Sequence, residues 1–239
     1  MQEDLLKTSW KQRVFIAIIA LILLGSTLAV YVAIVISGGS TSTSSDSDVD
    51  EELIAEIQEE YDAKYEEYSA AGDELSEKYF EKFKTYLSEV KSYNSETANE
   101  KLTYRDLKEG SGETITTDSE DYGAYYIGFC SDESIFDSSF DDSDDPTSLQ
   151  SPLVVTANSL IEGWYQGVNG MKIGGVREVT IPGELAYGDS QEICDGTNSP
   201  LKFIIMPVEV SDDFLTLSDE MSTLYTRLQY AYYGIDYSE

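Results

Sequence analysis

The 239-residue sequence predicts an α+β protein: an antiparallel β-sheet wrapped on a short helix, preceded by a transmembrane helix and an acidic helical stalk. Three observations carry this expectation. An uncharged apolar run fills residues 14–36, apolar residues recur at helical spacing from Glu51 to about Tyr93, and turn-rich sequence separates short Val, Ile, Tyr and Phe runs over residues 101–210.

Charge and composition narrow the chemistry before any motif is read. The formal charge of -31, from 46 acidic against 15 basic residues, makes nucleic acid and anionic lipid surfaces poor partners for the exposed chain. No histidine is present, which excludes a histidine base, a Ser-His-Asp triad and a His-ligated metal. Neither a cofactor nor a metal is expected.

The 23 residues of the apolar run suffice to cross a hydrocarbon core roughly 30 Å thick at about 1.5 Å per residue. Lys7, Lys11 and Arg13 precede the run and only acids follow it closely, so residues 1–13 are expected in the cytoplasm and the rest of the chain outside. The reading is a single-pass cell-membrane protein with an extracellular C-terminal domain. A cleaved signal peptide is the competing reading, although such segments have shorter apolar regions and the small residues from Ala29 to Ala33 form only a weak cleavage site.

Residues 37–50, SGGSTSTSSDSDVD, have the composition of a flexible linker. Over 51–94 an amphipathic helical stalk is expected, with Ile54, Ile57, Tyr61, Tyr65, Tyr68, Leu75, Tyr79, Phe83, Tyr86 and Val90 on one stripe. Its packing partner is expected on the same chain or a second helix. The interruption at Ala70, Ala71, Gly72 and Asp73 leaves one helix and a helical hairpin both open. Residues 211–239 form an acidic tail in which Phe214, Leu217, Met221, Leu224, Leu228 and Tyr232 predict one helix, starting near Ser218 and ending near Tyr233.

Within 101–210 six blocks stand in order: LTYRDLKEGSGE from Leu102, AYYIG from Ala124, IFDSSF from Ile135, LIEGWYQGVNGMKIGGVREVTIP from Leu160, LAYG from Leu185 and NSPLKF from Asn198. Taken alone, Trp164 reads as a core residue or as the floor of an apolar cavity. The six blocks together resemble the FKBP family of peptidyl-prolyl cis-trans isomerases, over about 110 residues.

That resemblance implies an FKBP-like fold and a proline pocket. Tyr126, Phe136, Trp164 and Phe203 would enclose the proline ring, with Trp164 as floor; Ile161 through its N–H and Tyr187 through its hydroxyl would hold substrate carbonyls; Asp137 would sit at the pocket edge. Leu153, Leu160, Ala186 and Ile193 complete the substrate-binding set. It also implies proline-containing polypeptide clients, with folding of secreted or surface proteins as the role, and macrolide-type inhibitors as ligands. A catalytically weak chaperone or binding module is the alternative. Mapped on the family fold, Cys130 and Cys194 lie in loops near the pocket mouth, which implies a disulfide between them in an oxidising compartment.

The departures from the family pattern are local. Asp132-Glu133 replaces the usual Asp-Gly, so a glycine-dependent turn is not expected there. An acidic insertion, DDSDDPTSLQS, follows Phe140 and brings no arginine to pair with Asp137, and Leu153 stands where an aromatic is common.

Overall fold

The computed structural model describes residues 51–119, 121–139, 151–194, 196–235 and Tyr237. The predicted span at 14–36, the linker at 37–50 and most of the acidic insertion lie outside the described residues. No helix among the described residues is long and apolar enough to cross a membrane. The chain divides into two compact units, Glu67–Ser218 and a second made of the residues up to Glu66 with Asp219–Glu239.

The stalk forms helix α1 (Glu51–Lys84) and a single 3-10 turn (Leu87–Glu89), and the short helix α2 (Ser95–Ala98) follows it. Of the two forms left open, the chain takes one continuous helix through Gly72. Glycine is needed there for room and not for a break, because a Cβ on Gly72 would overlap the side chain of Ser151.

In the larger unit, β1 (Thr103–Lys108), β2 (Tyr122–Phe129), β3 (Ile135–Ser138), β4 (Leu153–Val155), β5 (Val176–Ile181) and β6 (Leu201–Val208) form one sheet. Their order is β1-β5-β6-β2-β3, with β4 also paired to β2, and every pairing is antiparallel. Helix α3 (Glu162–Val168) packs on one face. Gly163 and Gly167, four residues apart, let it approach β5 closely: a Cβ at either would press on Ile181 or Val179.

Side-chain alternation divides the sheet into two apolar layers. Tyr122, Ala124, Tyr126, Val179, Ile181, Leu201, Phe203 and Ile205 join Trp164 and Val168 of α3. The opposite face presents Tyr125, Ile127, Val176, Ile204, Met206 and Val208 to Tyr79, Phe80 and Phe83 of α1. Both faces of β2 and β6 are therefore buried, which is why those strands, Lys202 apart, read as nearly continuous apolar runs and not as alternating ones. The apolar stripe of the stalk over Leu75–Val90 thus finds its partner on its own chain.

A buried charge network lies on the sheet face that α1 covers. Glu178 pairs with Arg105 (3.3 Å) and Lys202 (3.4 Å), and its carboxylate also accepts the Lys91 N–H at 2.9 Å. Burial lowers the Lys202 pKa, and the Glu178 charge opposes that shift.

Two sequence expectations are corrected here. The last helix, α4 (Asp212–Tyr232), begins well before Ser218. Ser211 accepts the Phe214 N–H on its hydroxyl at 3.2 Å, and Asp212 and Asp213 occupy the first turn, where acids favour the helix dipole. Its far end is closed by Gly234 (φ 62), with Ile235 N–H donating to Tyr230 and Gly234 N–H to Ala231. The second correction concerns the turn before β3. Glu133 itself takes the left-handed conformation (φ 71) that glycine usually supplies, its N–H donates to Cys130 and the Cys130 N–H donates to Ser134. Asp132 braces this turn by accepting the Ser134 N–H at 3.0 Å and its hydroxyl at 2.6 Å.

In the smaller unit, α1 and α4 run antiparallel. Lys64 pairs with Glu220 (2.9 Å) and Arg227 with Glu60 (3.2 Å), over an apolar seam of Ile57, Tyr61, Met221, Leu224, Tyr225 and Leu228.

Candidate active site

Four strands, the segment that leads into α3 and the loop between β5 and β6 bring the predicted site residues to one place. Trp164, Tyr126 and Phe203 are 2%, 3% and 4% exposed, so they form a floor. Phe136, Leu153, Leu160, Ile161, Ala186, Tyr187 and Ile193 pack against the same cluster while remaining partly open. Trp164 stands edge-on to Tyr126 (centroids 5.4 Å apart, 89°) and to Phe203 (5.8 Å, 78°), and Phe136 meets Phe203 in the same way (5.5 Å, 80°). Such edge-to-face packing holds ring orientations that a purely aliphatic lining would leave free.

Trp164 is aimed by a residue that the sequence reading missed. Its indole N–H donates to the Tyr122 hydroxyl at 3.3 Å, and burial raises the Tyr122 pKa to about 12. Tyr165, also unread, fixes the approach to the helix. Its hydroxyl donates to the Thr156 carbonyl (2.8 Å) and accepts the N–H groups of Ser159 (3.0 Å) and Leu160 (3.2 Å). Arg177 secures the other end of α3: one nitrogen donates to the carbonyls of Gly167 and Asn169, while the rest of the fork grips Asp106 at 2.6 and 3.2 Å. The only signals for these three were two tyrosines beside the motif residues and one arginine inside a strand.

Asp137 is the polar member of the set. Its carboxylate accepts the Tyr126 hydroxyl and the Ser138 N–H, both at 2.8 Å, and it forms no ion pair with any described residue. Burial raises its pKa, and the two hydrogen bonds oppose that shift. The Tyr126 pKa is pushed well up by burial and then by the neighbouring Asp137 charge. Tyr187 rises to about 12, again from burial first and Asp137 second. Its hydroxyl has no hydrogen-bond partner among the described residues, nor has the N–H of Ile161.

Cys130 and Cys194 are joined, with Cα atoms 5.5 Å apart across 64 residues of sequence. The bond ties the turn before β3 to the loop that carries Ala186, Tyr187 and Ile193. No cluster of His, Cys, Asp or Glu suited to a metal ion occurs among the described residues. The chemistry available is a shaped apolar site with two hydrogen-bond donors that have no partner among the described residues.

A family profile described as FKBP-type peptidyl-prolyl cis-trans isomerase matches residues 113–206. The peptidyl-prolyl cis-trans isomerase Mip of Chlamydia trachomatis is 32% identical over 119 residues, covering 50% of this chain and 45% of that protein. An FK506-binding protein of Neisseria meningitidis is 37% identical over 89 residues, covering 36% of this chain and 74% of that protein. Among solved structures, the crystal structure of FkpA from Escherichia coli is matched at 26% identity and a TM-score of 0.40, over 78% of this chain and 82% of that one. The chain spans less than half the length of the chlamydial relative. On the profile match, the neisserial relative and the six motif blocks now seen around one floor, the chain belongs to the FKBP-type peptidyl-prolyl cis-trans isomerase family.

Proposed function

We propose that the protein is a peptidyl-prolyl cis-trans isomerase that acts on proline-containing polypeptides at the Trp164 site. The observation that carries this is the buried edge-to-face floor of Trp164, Tyr126 and Phe203, with Tyr187 and Ile161 packed against the same cluster and the Tyr187 hydroxyl and Ile161 N–H without a partner among the described residues. Rotation about an X-Pro bond meets a barrier of about 18–20 kcal/mol because the planar amide loses its resonance. No covalent bond needs to be made or broken. A site that receives the proline ring on an apolar floor, sheds water and offers donors to carbonyls of the twisted imide lowers that barrier, about tenfold in rate for each 1.36 kcal/mol of preference.

A proline-peptide isomerisation assay tests this reading. Tyr187→Phe removes one hydroxyl and leaves the ring in place, so kcat/KM is expected to fall roughly three- to tenfold with the fold intact. Trp164→Ala is expected to abolish the activity. Peptide binding without any acceleration of isomerisation would leave a client-holding module in place of an enzyme.

The wider setting follows from sequence. Residues 14–36 act as a membrane anchor, the domain lies outside the cell membrane, and its clients are secreted or surface polypeptides; macrolide-type inhibitors are expected to compete for the same floor. Resistance of the full chain to alkaline extraction from membranes, with its C-terminal part open to added protease in intact cells, is the expected result.

A further inference from the structure

We propose that Asn99 is a positioning residue for the proline site, clamping the neck of the loop that delivers Ala186, Tyr187 and Ile193. This rests on the isomerase reading for its kinetic part only. Asn99 lies before residues 113–206, the part of the chain that the family profile covers.

The neck is where the two ends of the loop meet. The Gly188 N–H donates to the Gly183 carbonyl (2.9 Å), and the Asn198 N–H donates to the Gly188 carbonyl (2.6 Å). The approach is close enough that a Cβ on Gly183 would overlap the carbonyl of Asn198. Asn99 sits astride this junction. Its Oδ1 accepts the Gly183 N–H at 2.8 Å, and its Nδ2 donates to the Asn198 carbonyl at 3.3 Å. A carboxamide is the uncharged side chain that offers an acceptor and a donor from one rigid plane, as a bond to both ends of the neck requires.

Asn99 is itself held. It closes α2, whose first turn is capped by Asn94 accepting the Thr97 N–H (3.1 Å), and Ala98 of that turn is buried. Just upstream, the Tyr93 hydroxyl lies 3.0 Å from the Phe129 carbonyl and 2.9 Å from that of Pro200. The clamp therefore stands on the sheet and not on the loop that it grips. At the loop's far side, the Cys130–Cys194 bond provides a second tether. Between the two, Tyr187 and Ile193 are fixed against the cluster around Trp164.

A loop released at its neck spends less time in the binding-competent arrangement, and apparent affinity falls by that fraction. The defect is accordingly expected in KM and not in kcat. In the full chain, Asn99→Ala is expected to raise KM roughly three- to tenfold with kcat nearly unchanged, the size of one or two lost hydrogen bonds. Asn99→Asp keeps the acceptor for Gly183 but sets a carboxylate oxygen against the Asn198 carbonyl, so it is expected to raise KM as well. Amide exchange at Gly183 and Gly188 should accelerate in Asn99→Ala while that of Ile205 in β6 stays slow. A lowered melting temperature with KM and exchange at Gly183 unchanged would overturn the proposal. If the wild-type chain binds proline peptide without isomerising it, the isomerase reading fails alone; peptide Kd and amide exchange then test the clamp in place of KM.

Discussion

Asp137 is a carboxyl group among aromatic rings with two hydrogen-bond donors and, among the described residues, no cation to balance it. Because burial raises its folded-state pKa above the ordinary aspartate value, the folded chain holds this proton more tightly than the unfolded chain. Its contribution to stability is complete at pH below about 3.8 and is lost as pH rises through the raised value. Asp137→Asn cannot ionise, so its stability relative to wild type is expected to improve between pH 3 and pH 7; denaturant unfolding at several pH values reads that slope. Glu133 makes a second prediction at this scale. A non-glycine residue in the left-handed region costs roughly 1 kcal/mol, and the Glu133 side chain is exposed, so Glu133→Gly is expected to raise unfolding free energy by about that amount. Residues of this kind set the limits of reading a sequence. Trp164, Phe136, Tyr126 and Phe203 were legible because each stands inside a motif block. Tyr122, Arg177 and Asn99 were not, because their roles are hydrogen bonds between segments far apart in the chain, which leave no local pattern.

Helix α1 shows the same division at the level of elements. Its stripe announced an apolar face, but Phe80 fell outside the stripe, and the identity of the covered surface was not encoded in helical period at all. That surface is the second face of the sheet, where Phe83 is wholly buried against Tyr125, Ile127, Ile204 and Met206 in one layer. The clue available was the apolar run of β6 from Phe203 to Val208, FIIMPV, whose two faces both had to be buried by something. Phe83→Ala is expected to cost roughly 3–5 kcal/mol, the usual range for truncating a buried aromatic residue. Thermal or denaturant unfolding would show it, and a loss below 1 kcal/mol would mean that the helix is not part of the cooperative core. The early start of α4 has a different cause. Ser211, Asp212 and Asp213 form a start signal as good as Ser218, Asp219 and Glu220, and Phe214 is anchored in the larger unit at 2% exposure, which extends the helix to the first of the two signals.

Charge acts at the scale of the whole molecule, and around the site it has one sign. The turn before β3, the approach to α3 and the loop from Pro182 to Ser199 carry Asp132, Glu133, Glu162, Glu184, Asp189 and Glu192, all exposed, and contain no lysine or arginine. Basic residues of the domain lie on other elements, where Arg105 and Lys202 meet Glu178, Arg177 meets Asp106 and Lys172 meets Glu109. A client peptide laid across these elements therefore meets a negative potential, screened over about 8–10 Å at physiological salt. Each such charge at about 8 Å contributes roughly half a kcal/mol before screening, favourable to a cation and unfavourable to an anion. Peptides with Lys or Arg before the proline are accordingly expected to exceed those with Glu by about three- to tenfold in kcat/KM at low salt. The gap should narrow as ionic strength rises above about 0.15 M, because exposed charges are screened while apolar contacts with the floor are not. Measuring one peptide series at two salt concentrations decides the matter: equal rates for Lys and Glu peptides, or a preference that ignores salt, would mean that the acidic rim serves solubility and plays no part in choosing clients.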